Sequence, residues 1–98
     1  MDLSDLSSVR AAASALNERH TVHCLINNAG VAKDGAVVLG GSEAAIHETF
    51  SINTVAPAAW STAYFARLEK TKAPRGHVLH ISSLSAHRMP DATDLGIY

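Results

Sequence analysis

The chain has 98 residues, 47% hydrophobic and 17% charged, which suits one small globular domain and excludes a disordered chain. A formal net charge of −1 leaves no electrostatic footprint for nucleic acid or for an acidic membrane surface. A single cysteine, Cys24, excludes an internal disulfide, and no apolar run approaches the roughly eighteen residues of a membrane span. With no charged-then-apolar leader either, the expectation is a soluble, cytoplasmic chain.

Ser4 reads as a helix N-cap, with Asp5 in the first turn where the helix dipole favours an acid. Leu6, Val9, Ala13 and Leu16 recur at helical spacing and predict a helix over 5–19. Ser7, Arg10, Ser14 and Asn17 form its polar face, so it should be amphipathic and lie on a sheet. Continuous apolar character from Val22 to Ile26 predicts a strand over 22–27, buried on both faces, with Cys24 an inert core residue. Asn27 and Asn28 arrive where that strand ends, followed by the small residues Ala29 and Gly30. In open α/β sheets ligands bind at the carboxyl ends of the strands. A plain strand-ending turn is the alternative, since Asn and Gly are also turn formers.

A loop with Lys33, Asp34 and Gly35 follows, and Gly40-Gly41-Ser42-Glu43 leads into a short helix over 43–50 capped by Ser42. A third helical stretch starts at Asn53, with Ala56, Ala59, Trp60, Ala63, Tyr64 and Leu68 as a broad apolar stripe. Pro57 fits the first turn of that stretch, and should kink the helix if it instead runs unbroken from residue 43. Residues 69–76 read as a polar connection containing Pro74 and Gly76. Residues 77–82 read as a second strand built on Val78, Leu79 and Ile81, and 83–98 as loop. The order is α-β-α-α-β. Two strands joined by so long a helical crossover should be parallel, with a right-handed crossover.

Ser82 and Ser83 end the second strand, and Tyr98 lies beyond it. A phenol, with an ordinary pKa of about 10, needs a positive neighbour or hydrogen bonds to its anion before it can exchange protons near neutrality. A serine hydroxyl could hold a substrate oxygen by donating to it. Residue types alone do not choose these groups, because serines at strand ends are common. Of six histidines, His20/His23 and His77/His80 share an HxxH spacing. Strand positions i and i+3 point to opposite faces, so the second pair cannot share a metal, and no metal site is expected. Ser83 or Ser85 as a hydrolase nucleophile lacks the G-x-S-x-G elbow. Trp60 and Tyr64 are most simply core. His87 and Arg88 could line a substrate entrance or a solvated loop.

Five segments together resemble the short-chain dehydrogenase/reductase family. Leu25-Ile-Asn-Asn-Ala-Gly30 resembles its Asn-Asn-Ala-Gly motif, and Ile52-Asn53 its Val-Asn. His80-Ile-Ser-Ser83 resembles its Asn-Ile-Ser-Ser, Tyr98 falls at its catalytic Tyr, and Asp2-Leu-Ser-Asp5 resembles its Asp-Val-Thr-Asp. The resemblance covers essentially the whole chain and corresponds to the middle of a member of about 250 residues. It implies α/β architecture, with residues 1–98 forming part of a doubly wound parallel Rossmann sheet.

It also implies roles. Tyr98 would be the general acid/base, Ser83 would hydrogen-bond the carbonyl oxygen, and Asn53 would hold the backbone and a water of the proton relay. Asp2, Leu3, Asn27, Asn28, Ala29, Gly30 and Tyr98 would contact the cofactor, with Asp2 at the adenine and residues 28–30 along the adenosine half. The cofactor would be NAD or NADP, the substrate a small carbonyl or alcohol, and the intact protein a homo-oligomer in which the third helix packs at a subunit interface. Ser83 and Tyr98 are fifteen residues apart where many members have thirteen, the spacing of Ser85. Ser83 is favoured because it follows the strand directly. The stretch from Ser83 to Pro90 resembles a subgroup with a two-residue longer loop, insect farnesol-type dehydrogenases among it, which tips the cofactor toward NADP. The family's Gly-rich turn and catalytic Lys would lie before Asp2 and after Tyr98, so the expectation is an internal segment of an oxidoreductase. The alternative is an inactive or merely binding fragment.

Overall fold

The computed structural model describes residues 1–32, 42–72 and 75–83. Helix α1 spans Leu6–Arg19. Its N-cap is Asp5, one residue later than expected: the Asp5 carboxylate accepts from Ser7 N at 2.9 Å and from Ser7 Oγ at 2.6 Å. Ser4 is drawn away by Asp2, whose Oδ1 accepts from Ser4 N at 2.8 Å and Ser4 Oγ at 2.7 Å. A carboxylate is the stronger acceptor, so it takes the capping role from the hydroxyl. These hydrogen bonds hold both acids below their ordinary range, Ser4 acting on Asp2 and Ser7 on Asp5.

Strand β1 (Cys24–Asn27) and strand β2 (His77–His80) pair in parallel, with Cys24 opposite His77 and Asn27 opposite His80. Ile81 N donates to Asn27 O at 2.9 Å and carries the ladder one step further. Both strands are shorter than the sequence pattern suggests. The parallel order is as expected, but the burial is not. Leu25 and Val78, register partners, are half-buried, whereas their neighbours Ile26 and Leu79 are 57% and 50% exposed. Successive strand residues face opposite ways, and the helices described here cover one face. Cys24 is exposed for the same reason, not a core residue.

Helix α2 (Glu43–Phe50) is capped as expected, Ser42 Oγ accepting from Ala45 N at 3.1 Å. It does not end at Phe50. A π-helical turn, Ser51–Val55, carries it directly into α3 (Ala56–Thr71), so the third helix is a continuation and not a new start at Asn53. Pro57 sits in the first turn of α3. A proline ring in a regular helix clashes with the carbonyl four residues back, here Asn53, and supplies no N–H. Widening the turn, with Ala56 N bonded to Ser51 O, relieves that clash without ending the helix. Residues 69–71, expected in the polar connection, are helical, and Lys72 caps the end in the left-handed region at φ 52°.

Helix α1 packs chiefly against α3 and not on the sheet. Val9 and Ala13 are its buried positions, and Asn17 Nδ2 donates to Ala63 O at 3.2 Å across the contact. Tyr64 is the large buried side chain of α3, while Trp60 is only half-buried. The Tyr64 hydroxyl donates to His23 O at 2.8 Å and accepts from His77 N at 3.1 Å, tying the helix to the start of both strands. A Cβ built on Gly76 would overlap Tyr64 Oη and Leu68 Cδ1, so only glycine fits beside that phenol. Among the described residues no helix is long and apolar enough to cross a membrane.

Candidate functional site

Because β1 and β2 run parallel, the residues that follow them emerge at one edge of the sheet. Asn28, Ala29 and Gly30 follow β1 and are exposed. Ser82 and Ser83 follow β2 beyond Ile81, Ser82 exposed and Ser83 half-buried. This is the edge at which open α/β sheets bind ligands.

The π turn aims Asn53 at the same region. Asn53 Oδ1 accepts from Val31 N at 2.9 Å, and Asn53 Nδ2 donates to Val31 O at 2.8 Å. The amide therefore grips both backbone groups of one residue. A Cβ on Gly30 would lie 3.5 Å from Asn53 Oδ1, ordinary contact, which sets the turn after β1 directly against the π turn.

The two amides at the end of β1 part company. Asn28 is exposed, but the Asn27 side chain turns to the helix-covered face, where Nδ2 lies 3.2 Å from Ser61 Oγ and 3.3 Å from His80 Nδ1. Asp2 is exposed, bound to Ser4 as described and through its N–H to Ser8 Oγ at 2.9 Å; Leu3 is half-buried. Tyr98, Ser85, His87 and Arg88 lie outside the described residues. Among the described residues no group of three or more His, Cys, Asp or Glu could hold a metal ion.

Sequence reasoning missed Ser61 and His80 as the partners of Asn27. Their signal was available in part: parallel pairing in the observed register sets residue 80 beside residue 27. The π turn also had a signal, Pro57 four residues after Asn53 in an otherwise unbroken helical pattern.

A parallel strand pair joined by a helical crossover, with an amide clamp at its carboxyl edge, is the arrangement of an α/β domain built on a parallel sheet. The chain belongs to the short chain dehydrogenase family, whose sequence pattern matches residues 1–93. It is 30% identical to dehydrogenase/reductase SDR family member 11 of Bos taurus, over 99% of this chain and 38% of that protein. Among solved structures it resembles a metagenomic short-chain oxidoreductase in complex with NADP (29% identity, TM-score 0.80, 96% of this chain and 42% of that one). It also resembles the bulky-bulky ketone specific alcohol dehydrogenase of Comamonas testosteroni (27% identity, TM-score 0.77, 95% of this chain and 36% of that one). The chain thus spans less than half the length of these relatives, and its fold is part of their Rossmann sheet.

Proposed function

We propose that this chain is the central segment of an NAD(P)-dependent oxidoreductase that interconverts a small carbonyl compound and its alcohol by hydride transfer. The carrying observation is the two-point grip of Asn53 on Val31, which fixes the π turn against the exposed residues 28–30 at the ligand-binding edge. Family membership and the NADP-bound relative support the same reading. The fit to a nucleotide is chemical: Asn28 offers an exposed amide beside Ala29 and Gly30, whose small side chains leave the backbone open to a flat nucleoside.

When bound, NAD(P) supplies or takes the hydride, and NADP is favoured. The chain's own groups do the rest. Ser83 donates a hydrogen bond to the substrate oxygen and holds it in place. Tyr98 gives that oxygen its proton in reduction and takes it back in oxidation. Asn53 holds the loop after β1 and a water on the proton path. Asp2 and Leu3 border the adenine, and Asn27 acts from behind the strand end. Cytoplasmic residence and a homo-oligomer with α3 near the interface complete the reading.

The test is Tyr98→Phe in the active, intact protein. It should lose most of kcat and leave the Kd for NADPH nearly unchanged, and Ser83→Ala should do likewise. Wild-type turnover in Tyr98→Phe would remove Tyr98 from the mechanism.

A further inference from the structure

The contacts around Asn27 have a direction. Ser61 Oγ lies 2.8 Å from Pro57 O, and a carbonyl oxygen can only accept, so the Ser61 hydroxyl proton is committed there. Ser61 Oγ must then accept from its other neighbour, Asn27 Nδ2, at 3.2 Å. An amide nitrogen has two protons and no usable lone pair. The second proton of Nδ2 points the chain onward to His80 Nδ1 at 3.3 Å, which has to be the acceptor. Turning the Asn27 amide over would set its oxygen against a serine oxygen that has no proton left to give.

From this we infer that His80 is a positioning residue: as the neutral imidazole with its proton on Nε2, it ends a hydrogen-bond chain His80–Asn27–Ser61–Pro57 that fixes the carboxyl ends of β1 and β2 against α3. The chain spans both strands at their last register pair and reaches the first turn of α3. It is placed to set two segments of the site at once. Asn28 follows Asn27 directly, and Ser83 lies three residues beyond His80. The catalytic value of this positioning rests on the reading given under Proposed function, whereas the chain itself does not. Any side chain that puts an acceptor one bond from Cγ at position 80 preserves it, so His80→Asn is the conservative replacement and His80→Leu the disruptive one.

The test is nuclear magnetic resonance on the full, 15N-labelled chain, in buffer alkaline enough to keep exposed imidazoles neutral, with the exposed Asn28 amide as internal control. The expected result is a His80 ring with a bare Nδ1 and a protonated Nε2. The Asn27 side-chain protons should exchange about tenfold more slowly than those of Asn28, the worth of a net hydrogen bond. His80→Leu should remove the protection of the proton that faces His80 and leave that of the proton bonded to Ser61 Oγ, and His80→Asn should restore the former. A protonated Nδ1, equal exchange at Asn27 and Asn28, or full protection in His80→Leu would each overturn the assignment. These signals are read without substrate. Their failure leaves hydride transfer standing, and failure of the Tyr98→Phe test leaves the chain of hydrogen bonds standing.

Discussion

The side chain of Asn53 and the backbone of Val31 close a ring of two hydrogen bonds, 2.9 and 2.8 Å long, between a π turn and the segment that follows β1. Both groups are part-buried. Removing the amide leaves an N–H and a carbonyl of Val31 without partners, so Asn53→Ala should cost about 1–3 kcal/mol in urea unfolding. Asn53→Asp should be no milder, because it keeps one bond and turns the other into an oxygen–oxygen contact. Unfolding midpoints equal to wild type in both variants would show that the grip contributes nothing.

Gly76 and Tyr64 make the second tight contact. Gly76→Ala drives a methyl into the phenol and into Leu68, which should cost about 1–3 kcal/mol by overpacking. Tyr64→Phe removes only the hydroxyl, and His77 N keeps His23 O at 3.2 Å, so its cost should be nearer 1 kcal/mol. In the double variant the ring loses one of the atoms that clash, with Leu68 Cδ1 still in the way, and the combined loss should fall short of the sum. A double-mutant cycle measures this directly, and strict additivity would refute the contact.

What the sequence made legible follows from local chemistry. Ser42 before Glu43 marks a helix start, and the two apolar runs flanking a helical stripe mark parallel strands. What it hid depends on neighbours distant in sequence. A continuous apolar run at 22–26 does not say whether both faces find cover, and Ile26, Leu79 and Cys24 lie on a face that the described helices leave open. Ser4 looked like the cap because the pattern does not show that Asp2 would claim its hydroxyl. Pro57 announced a disturbance, but the pattern does not show that a widened turn, with Ala56 N bonded to Ser51 O, would resolve it without a break. In the site, residues 28–30 were picked out by their place at the end of an apolar strand and again by resemblance, whereas Asn53 was picked out by resemblance alone. The inward turn of Asn27 needed the packed partner Ser61, which is 34 residues away.

The acids at the start of the chain make it sensitive to acid. Ser7 holds the Asp5 carboxyl, and Ser4 the Asp2 carboxyl, below the ordinary value of 3.8. The unfolded chain therefore binds these protons first as the pH drops. The stabilisation is fully present above the ordinary value and is lost as pH falls through the lowered folded values. Helix content in urea, followed by far-ultraviolet circular dichroism, should decline across that interval. Asp5→Asn keeps a capping oxygen without a charge, so it should flatten most of the decline, and Asp2→Asn the remainder. A double variant as acid-sensitive as wild type would place the titration elsewhere.

Finally, these 98 residues by themselves should not bind NADPH. A pyrophosphate needs the open N–H groups and positive end of a helix dipole. At α1 the Asp5 carboxylate already takes Ser7 N, and at α2 Ser42 takes Ala45 N with Glu43 in the first turn. Neither end offers an anion the welcome a glycine-rich turn gives, and each carries a negative charge that repels one. The exposed side chains of Ile26, Leu79 and Ile81 push the same way, since apolar surface open to water favours association over a monomeric binding site. Titrating the purified 98-residue chain into NADPH should give no saturable change in nucleotide fluorescence, and light scattering should report oligomers. Saturable binding by a monomer would mean that residues 28–30 and Asp2 hold the nucleotide through the adenosine half alone, with the phosphates left in water.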